Sequence, residues 1–277
     1  MEVCLPDAAG LAEAQLQVQI AGVHKVFRTD AAEIVALKDI NLEIRSGEFI
    51  CILGPSGCGK STLLNAVAGF SLPSSGQLLA NGREVIAPGP DRAMVFQEYA
   101  LFPWMTVAQN IAFGLEIKKL PKRQIAEKVD ALLDKLSLNE FRDRFPKDLS
   151  GGMKQRVAIA RVLALDSPIM LMDEPFGALD ALTRRTLQDE LLRIWMEFKK
   201  TVLFVTHSIQ ESIYLADRVV VMTYRPGTVK KIVPVQLPHP RDLNSEQFVS
   251  LQKELTQMVM EEQLRFQNDE IAFATCD

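Results

Sequence analysis

Paired cysteines, long hydrophobic runs and an excess of either charge are all missing from this 277-residue sequence. Its four cysteines, Cys4, Cys51, Cys58 and Cys276, have no paired spacing, which argues against a metal cluster and favours free thiols in a reducing cytosol. The uncharged stretch at 99–115 is interrupted by proline and polar residues, so no membrane-spanning helix is expected. Residues 1–24 contain no Lys or Arg, so no secretory signal is expected either.

The charge balance is equally unremarkable. The net charge is −4, with 24% charged and 48% hydrophobic residues, which is typical of a globular protein and not of a disordered chain. Nothing in this balance favours a nucleic-acid partner. The length allows one large domain or two small ones.

Strand-like and helix-like apolar patterns alternate along the chain. A continuous apolar run at Phe49–Leu53 predicts a strand buried on both faces. Helical spacing of apolar residues predicts helices near 121–136, 179–198 and 245–258, the last packed on its own domain. This alternation predicts an α/β fold with a mainly parallel sheet. Further strands are expected at 16–20, 40–44, 169–172, 202–206, 219–223 and 232–235.

A glycine-rich loop follows the buried strand and precedes a helix-like segment. Its sequence matches G-x-x-x-x-G-K-[ST], in which backbone N–H groups surround a phosphate, the lysine adds a positive charge and the hydroxyl can bind Mg²⁺. The match predicts a nucleotide site made of Gly54, Pro55, Ser56, Gly57, Cys58, Gly59, Lys60, Ser61 and Thr62.

A second candidate element is the apolar run at 169–172, which ends in Asp173 and Glu174. Parallel strands deliver their C-terminal residues to the ligand crevice. We therefore expect Asp173 to help hold Mg²⁺ and Glu174 to polarise a water against the terminal phosphate.

A further glycine-rich segment, Leu149-Ser150-Gly151-Gly152-Met153-Lys154-Gln155-Arg156, resembles the signature motif of ATP-binding-cassette (ABC) ATPases. Other elements of that family follow in order, and the resemblance covers about residues 16–240. Gln97 resembles the Q-loop glutamine, Asp180 the D-loop aspartate and His207 the switch histidine, and Phe27 stands where the family has an aromatic residue that stacks on adenine.

The resemblance implies a P-loop NTPase core with a mainly parallel sheet, a small antiparallel β part and an inserted α-helical subdomain at about 98–160. It implies a tail at 1–15, a cassette at 16–240 and a helical extension at 241–277. It also implies ATP and Mg²⁺ as cofactors. The implied catalytic residues are Glu174, His207, Gln97 and Lys60, the metal ligands are Ser61, Gln97 and Asp173, and Ser150, Gly151, Gly152 and Asp180 join the nucleotide site.

Within the family, the sequence is similar to the cassette subunits of nitrate, sulfonate, taurine and bicarbonate importers. The similarity lies in residues 173–184, 215–222 and 237–241 and in Arg225-Pro226-Gly227. It implies a homodimer at the cytoplasmic face of the inner membrane, bound to permease subunits and indirectly to a substrate-binding protein. A lipid-trafficking or efflux cassette, or a soluble non-transport assembly, remains the alternative.

Two further expectations concern single side chains. The segment from Glu98 to Met105 carries Tyr99, Phe102 and Trp104, which we expect to contact the membrane partner together with Gln97. Cys58 lies at a helix N-terminus beside Lys60, a setting that favours a reactive thiolate. MgATP would then protect Cys58 from maleimide.

Overall fold

The structure is a computed structural model that describes residues 15–28 and 33–274, with side chains described up to residue 267. Its strands are β1 Leu16–Arg28, β2 Glu33–Arg45, β3 Phe49–Leu53, β4 Ser75–Ala80, β5 Arg83–Glu84, β6 Arg92–Val95, β7 Ile169–Asp173, β8 Thr201–Thr206, β9 Arg218–Met222 and β10 Val229–Pro234. Its α-helices are α1 Lys60–Ala68, α2 Val107–Ile117, α3 Lys122–Lys135, α4 Gly151–Ala164, α5 Ala181–Phe198, α6 Ile209–Leu215 and α7 Glu246–Ala274. Short 3₁₀ helices lie at Asn139–Phe141 and Pro146–Asp148.

The central sheet has six strands in the order β10-β9-β3-β8-β7-β6. Five of them run parallel, and β10 pairs antiparallel with β9 at one edge. The carboxyl ends of parallel strands meet at one edge of a sheet, so the residues that follow β3, β6, β7 and β8 are brought together there. This edge places the glycine-rich loop beside Asp173, Glu174 and His207.

The two faces of β3 show why the central strand is entirely apolar. Phe49, Cys51 and Leu53 belong to one core cluster, and Ile50 and Ile52 belong to another on the opposite face. The first face packs against α4, α5, α6 and α7, and the second against α1 and the smaller sheet. Because both faces are covered, the strand has no polar face to alternate with its apolar one.

The smaller sheet is antiparallel, with the strand order β2-β1-β4-β5. Its long hairpin β1–β2 carries Phe27 near one end, opposite Ile34. Helices α2, α3 and α4 form a separate cluster, with a core of Ile111, Leu115, Leu133 and Val157. No described helix combines the length and apolar character needed to cross a membrane.

Helix α7 packs on the same domain, as its apolar stripe predicts. Ser245 caps its first turn by accepting a hydrogen bond from Phe248 N–H at 3.3 Å. Phe248 and Leu255 are fully buried in the core cluster of the central sheet, and Leu251 and Met258 pack against that cluster. Burial of each large apolar side chain stabilises the fold by about 1.5–3 kcal/mol.

All the predicted strands are present, and β3 has the predicted bounds. Strands β1 and β2 are longer than the predicted 16–20 and 40–44. The hairpin continues beyond the segments in which apolar and polar residues alternate. The helix predicted at 179–198 begins at Ala181 instead, because Asp180 is its N-cap. The expected tail at 1–15, Cys4 and Cys276 lie outside the described residues, apart from residue 15.

Candidate nucleotide site

The glycine-rich loop connects β3 to α1, and its glycines are required by the shape of the chain. Gly59 has φ +100°, and a Cβ there would lie 2.8 Å from the Leu37 side chain and 3.0 Å from the Ala36 carbonyl oxygen. No side chain caps the N-terminus of α1, and its first turn contains no acidic residue. The backbone N–H groups of this turn are therefore available to an anion.

Lys60 lies inside the loop and is only 5% exposed. Its ammonium donates hydrogen bonds to the carbonyl oxygens of Gly54 and Pro55, each at 2.9 Å. An ammonium group has three donors, so one remains for a ligand. The loop thereby holds a positive charge at the point where its own N–H groups converge.

Ser61 and Asp173 are in direct contact, although they are 112 positions apart in the chain. The Ser61 hydroxyl donates to Asp173 Oδ1 at 2.9 Å. Burial raises the pKa of the Asp173 carboxyl, and the hydrogen bond from Ser61 opposes that rise. The pair presents two oxygen donors beside the glycine-rich loop.

Glu174 and His207 form a second pair at the same edge of the sheet. His207 Nδ1 lies 2.8 Å from Glu174 Oε2, and the His207 side chain is 60% exposed. Glu174 has φ +42°, an uncommon conformation for a residue with a side chain, and such strain is concentrated at functional sites. Its N–H donates to Val205 O at 3.0 Å, which fixes the strained residue to β8.

A cavity of about 410 Å³ joins the glycine-rich loop, Glu174 and the end of the β1–β2 hairpin, whereas Asp173 and His207 do not line it. Phe27, 42% exposed, lies at its wall, and the Lys25 ammonium lies 5.1 Å from the centre of the Phe27 ring. The size and mixed polarity of the cavity suit a ligand with an aromatic part and an anionic part. Its walls are formed by Phe27, Ile34, Ala36, Ser56, Gly57, Gly59, Lys60, Ser61, Thr62, Glu174 and Arg225.

The remaining predicted residues lie outside this cavity. Ser150 caps α4 by accepting from Met153 N–H at 3.3 Å, and Asp180 caps α5 by accepting from Thr183 N–H at 3.0 Å. The hydrogen bond from Thr183 N–H also lowers the pKa of Asp180. A Cβ on Gly151 would lie 3.1 Å from the Tyr99 hydroxyl, so the glycine-rich start of α4 adjoins the segment after β6. Exposed Gln97 begins that segment two residues after the end of β6.

The prediction of a reactive Cys58 is wrong. Its side chain is fully buried in the core cluster beneath the smaller sheet, and burial raises the pKa of the thiol despite the nearby charge of Lys60. The loop turns the Cys58 side chain inward, so the thiol faces the core and only the Cys58 backbone could contribute to a phosphate site. Cys51, in β3, is likewise buried and has a raised thiol pKa because of burial.

Neither Cys51 nor Cys58 is therefore expected to react with maleimide in the folded protein at neutral pH. Peptide-level mass spectrometry after labelling of native protein would test this, with guanidinium-unfolded protein as the positive control. Rapid labelling of native Cys58 that MgATP prevents would contradict the buried geometry.

Two groups were missed by the sequence analysis. Arg225 reaches the loop, where its Nε–H donates to Gly57 O at 3.3 Å. Glu211 is buried behind His207, hydrogen-bonded to the Thr206 hydroxyl and to Gln188 Nε2, and burial raises the pKa of its carboxyl. For Arg225 the sequence held a signal, the Arg225-Pro226-Gly227 turn. This turn follows a predicted strand, and the end of that strand lies beside the loop. Nothing in the sequence marked Glu211.

Comparison with known proteins decides the family. The model of the ABC transporter family matches residues 37–177. An uncharacterised ABC transporter ATP-binding protein from Methanocaldococcus jannaschii is 49% identical over 251 residues, which cover 91% of this chain and 94% of that protein. This chain belongs to the ABC transporter family.

Two more relatives of this ABC cassette have import functions in their names. An aliphatic sulfonates import ATP-binding protein from Bacillus licheniformis is 47% identical over 88% of the chain and 95% of that protein. A nitrate import ATP-binding protein from Synechocystis sp. is 42% identical over 86% of the chain and 90% of that protein. The expected resemblance to the nitrate and sulfonate importer group is confirmed.

A solved structure also agrees with the fold of this ABC cassette. It is a dimeric ATP-binding cassette in a post-hydrolysis state bound to ADP and Pi, 32% identical, with a TM-score of 0.70 over 79% of this chain and 99% of that one. The predicted P-loop fold class is confirmed, and the chain is an ATPase.

Proposed function

We propose that this cassette powers an importer that takes up a small anion, such as a sulfonate or nitrate. The names of its relatives support the solute class. The proposal depends most on the 2.8 Å contact between His207 and Glu174 beside the glycine-rich loop. A carboxylate and an imidazole so close to the loop support a role for both beside the terminal phosphate.

The loop, Glu174, His207 and Phe27 then have distinct roles. The loop N–H groups and Lys60 hold the phosphates, Glu174 orients and polarises the attacking water, and His207 holds the γ-phosphate. Phe27 stacks on adenine. Phosphoryl transfer of this kind depends mainly on positioning and charge stabilisation, which this rigid sheet edge supplies.

The oxygen donors beside the loop fit Mg²⁺. Ser61 and Asp173 offer a hydroxyl and a carboxylate that are 2.9 Å apart, and Mg²⁺ prefers oxygen ligands shared with substrate phosphates. Ser61, Asp173 and Gln97 would hold the ion. Bound there, it would neutralise charge on the phosphate oxygens.

Two copies would form the working unit. The related solved cassette is dimeric, and we infer that Ser150, Gly151, Gly152 and Asp180, which do not line the cavity of their own chain, close over the nucleotide held by a second copy. A two-fold axis would make both sites alike. Closure on two ATP molecules would supply the mechanical step, and hydrolysis would release it.

The permease would dock beside Gln97. An apolar groove of about 500 Å³ lies between the segment after β6 and the helices α2 and α4, lined by Phe96, Phe102, Phe113 and Ile117 among others. Trp104 adjoins it, 69% exposed, with its ring centre 5.7 Å from that of Phe102. Tyr99 and Phe102 are half-buried, so Trp104 is the aromatic residue most available to a partner. The cassette would thus lie peripherally on the cytoplasmic face of the membrane.

Partner capture tests the proposal. Glu174→Gln cassette, loaded with MgATP, would be used to pull down partners from detergent-solubilised native membranes. A polytopic permease is expected, and its cognate binding protein could then be screened with sulfonates and nitrate. Recovery of soluble proteins alone would contradict the importer and favour a non-transport assembly, and an export or lipid-transfer permease would favour the efflux alternative.

Trp104→Ala is expected to reduce the permease recovered in this experiment by about tenfold, because large aromatic anchors dominate interface energies. Ile86→Ala is the matched control, since Ile86 is an equally exposed apolar residue next to the smaller sheet. Equal recovery with both variants would exclude Trp104 from the interface.

A further inference from the structure

Arg225 is a positive charge at the mouth of the nucleotide cavity that the roles above leave unused. It lies in the turn between β9 and β10, it is exposed, and it lines the same cavity as Lys60 and Phe27. Among the described residues, only its Nε–H has a hydrogen-bond partner, the Gly57 carbonyl oxygen at 3.3 Å. A guanidinium has five N–H donors, so four remain free to face a ligand.

No described carboxylate competes for that charge. Glu262, the acidic side chain bonded to the adjacent Tyr224 N–H, is paired instead with Lys230 at 2.8 Å and Arg265 at 3.1 Å. An unpaired cation beside a phosphate-binding loop attracts anions. Its planar fork of N–H donors can also pair with two phosphate oxygens at once.

We propose that Arg225 binds the phosphates of the nucleotide as a second cation beside Lys60, and that helix α7 positions it. This inference rests on the proposed nucleotide site. Arg225 is thus a binding residue, and the α7 residues that hold its turn are positioning residues.

On one side the turn is fastened to β2, whose Ala36 also adjoins the loop at Gly59. Gly227 N–H donates to Ala36 O at 3.0 Å, and Lys38 N–H donates to Gly227 O at 2.9 Å. A Cβ on Gly227 would lie 2.2 Å from the carbonyl oxygen of Cys58, so only glycine allows this approach. The turn therefore cannot move away from the loop without breaking both backbone contacts.

Helix α7 holds the other side. The buried Glu262 carboxylate, 1% exposed, accepts from Tyr224 N–H at 3.1 Å. The Tyr224 ring packs on Phe266 with 4.7 Å between centres, and the Arg225 guanidinium lies 6.0 Å from the Tyr224 ring. The C-terminal helix thus reaches the nucleotide cavity through two adjacent residues, Tyr224 and Arg225.

The test is ADP binding to the full chain in the presence of Mg²⁺, measured by calorimetry, with thermal melting to check folding. Arg225→Gln is expected to raise the Kd about tenfold at ~50 mM salt, and much less at ~500 mM because salt screens an exposed charge. Arg225→Lys should recover most of the affinity, since the positive charge is retained.

The positioning role of α7 can be tested with variants of two neighbouring glutamates. Glu261 and Glu262 both pair with Lys230, but Tyr224 N–H donates to Glu262. Glu262→Leu, which removes the acceptor of the Tyr224 N–H hydrogen bond, should therefore reduce the salt dependence of ADP binding in the same direction as Arg225→Gln, and Glu261→Leu should not. Phe266→Ala provides a second variant in case the buried Glu262 change impairs folding.

Several results would overturn the inference. If wild-type protein binds ADP and Lys60→Ala weakens binding while Arg225→Gln does not, Arg225 has no role and the nucleotide site stands. Equal losses in the Gln and Lys variants, or a loss independent of salt, would show that charge is not responsible. If the wild type binds no nucleotide at all, the proposed function itself fails.

Discussion

A Glu174→Gln cassette is expected to bind MgATP about as tightly as the wild type and to hydrolyse it at least ~100-fold more slowly. The substitution keeps the shape of the side chain and removes only the charge that polarises water. The new amide can still pair with His207 Nδ1, because either of its ends can match the imidazole tautomer. The strained backbone at φ +42° is set by the surrounding chain and should persist.

Direct binding and steady-state phosphate release, measured on the same preparation, separate these two effects. Glu254→Gln is a suitable control, since this exposed residue of α7 pairs with Lys231 far from the cavity. Near-normal hydrolysis by the Glu174 variant would show that another group activates the water. A parallel loss of ATP binding would instead show that Glu174 has a structural role.

The sequence predicted the structure best where a single physical effect, such as burial of both faces of a strand, determines the residue pattern. The run Phe49–Leu53 is apolar throughout because both faces of β3 are covered, and that pattern predicts its bounds. Ser61 and Asp173 could be expected to meet because each follows a strand of one parallel sheet. The hydrogen bond between them, across 112 positions, agrees with that expectation.

Side-chain direction inside a tight loop could not be predicted in the same way. Cys58 lies between two glycines beside a lysine, and the sequence alone favours an exposed thiolate. The fold turns the thiol into the core, and a Cβ on Gly54 would lie 2.8 Å from its sulfur. Desolvation then outweighs the charge of Lys60 and raises the thiol pKa.

Contacts between elements that are far apart in the chain could not be predicted from the sequence either. Glu262 is acidic, a residue type that is normally exposed, and only the fold shows that it is buried and bonded to Tyr224 N–H. Arg225 was noticed as part of a family-like turn, but its approach to Gly57 depends on how β9 lies against β3. Local patterns predict elements, while such contacts depend on the register between them.

Lys60→Ala is expected to weaken binding of ATP and ADP by about ten- to a hundredfold, which corresponds to losing one charge-assisted hydrogen bond of ~1.5–3 kcal/mol. The ammonium also donates to the Gly54 and Pro55 carbonyl oxygens, so its removal loosens the loop that should surround the phosphates.

The loop effect and the charge effect can be separated with two variants. Lys60→Met fills the buried space but carries no charge, whereas Lys60→Ala leaves both carbonyl groups and the space open. Equal losses of affinity for the two variants would assign the effect to charge, and a much larger loss for alanine would assign it to the shape of the loop. If both variants bind ATP as tightly as the wild type, Lys60 does not bind phosphate. Its ammonium, only 5% exposed, would then contact the two carbonyl oxygens of the loop and no ligand.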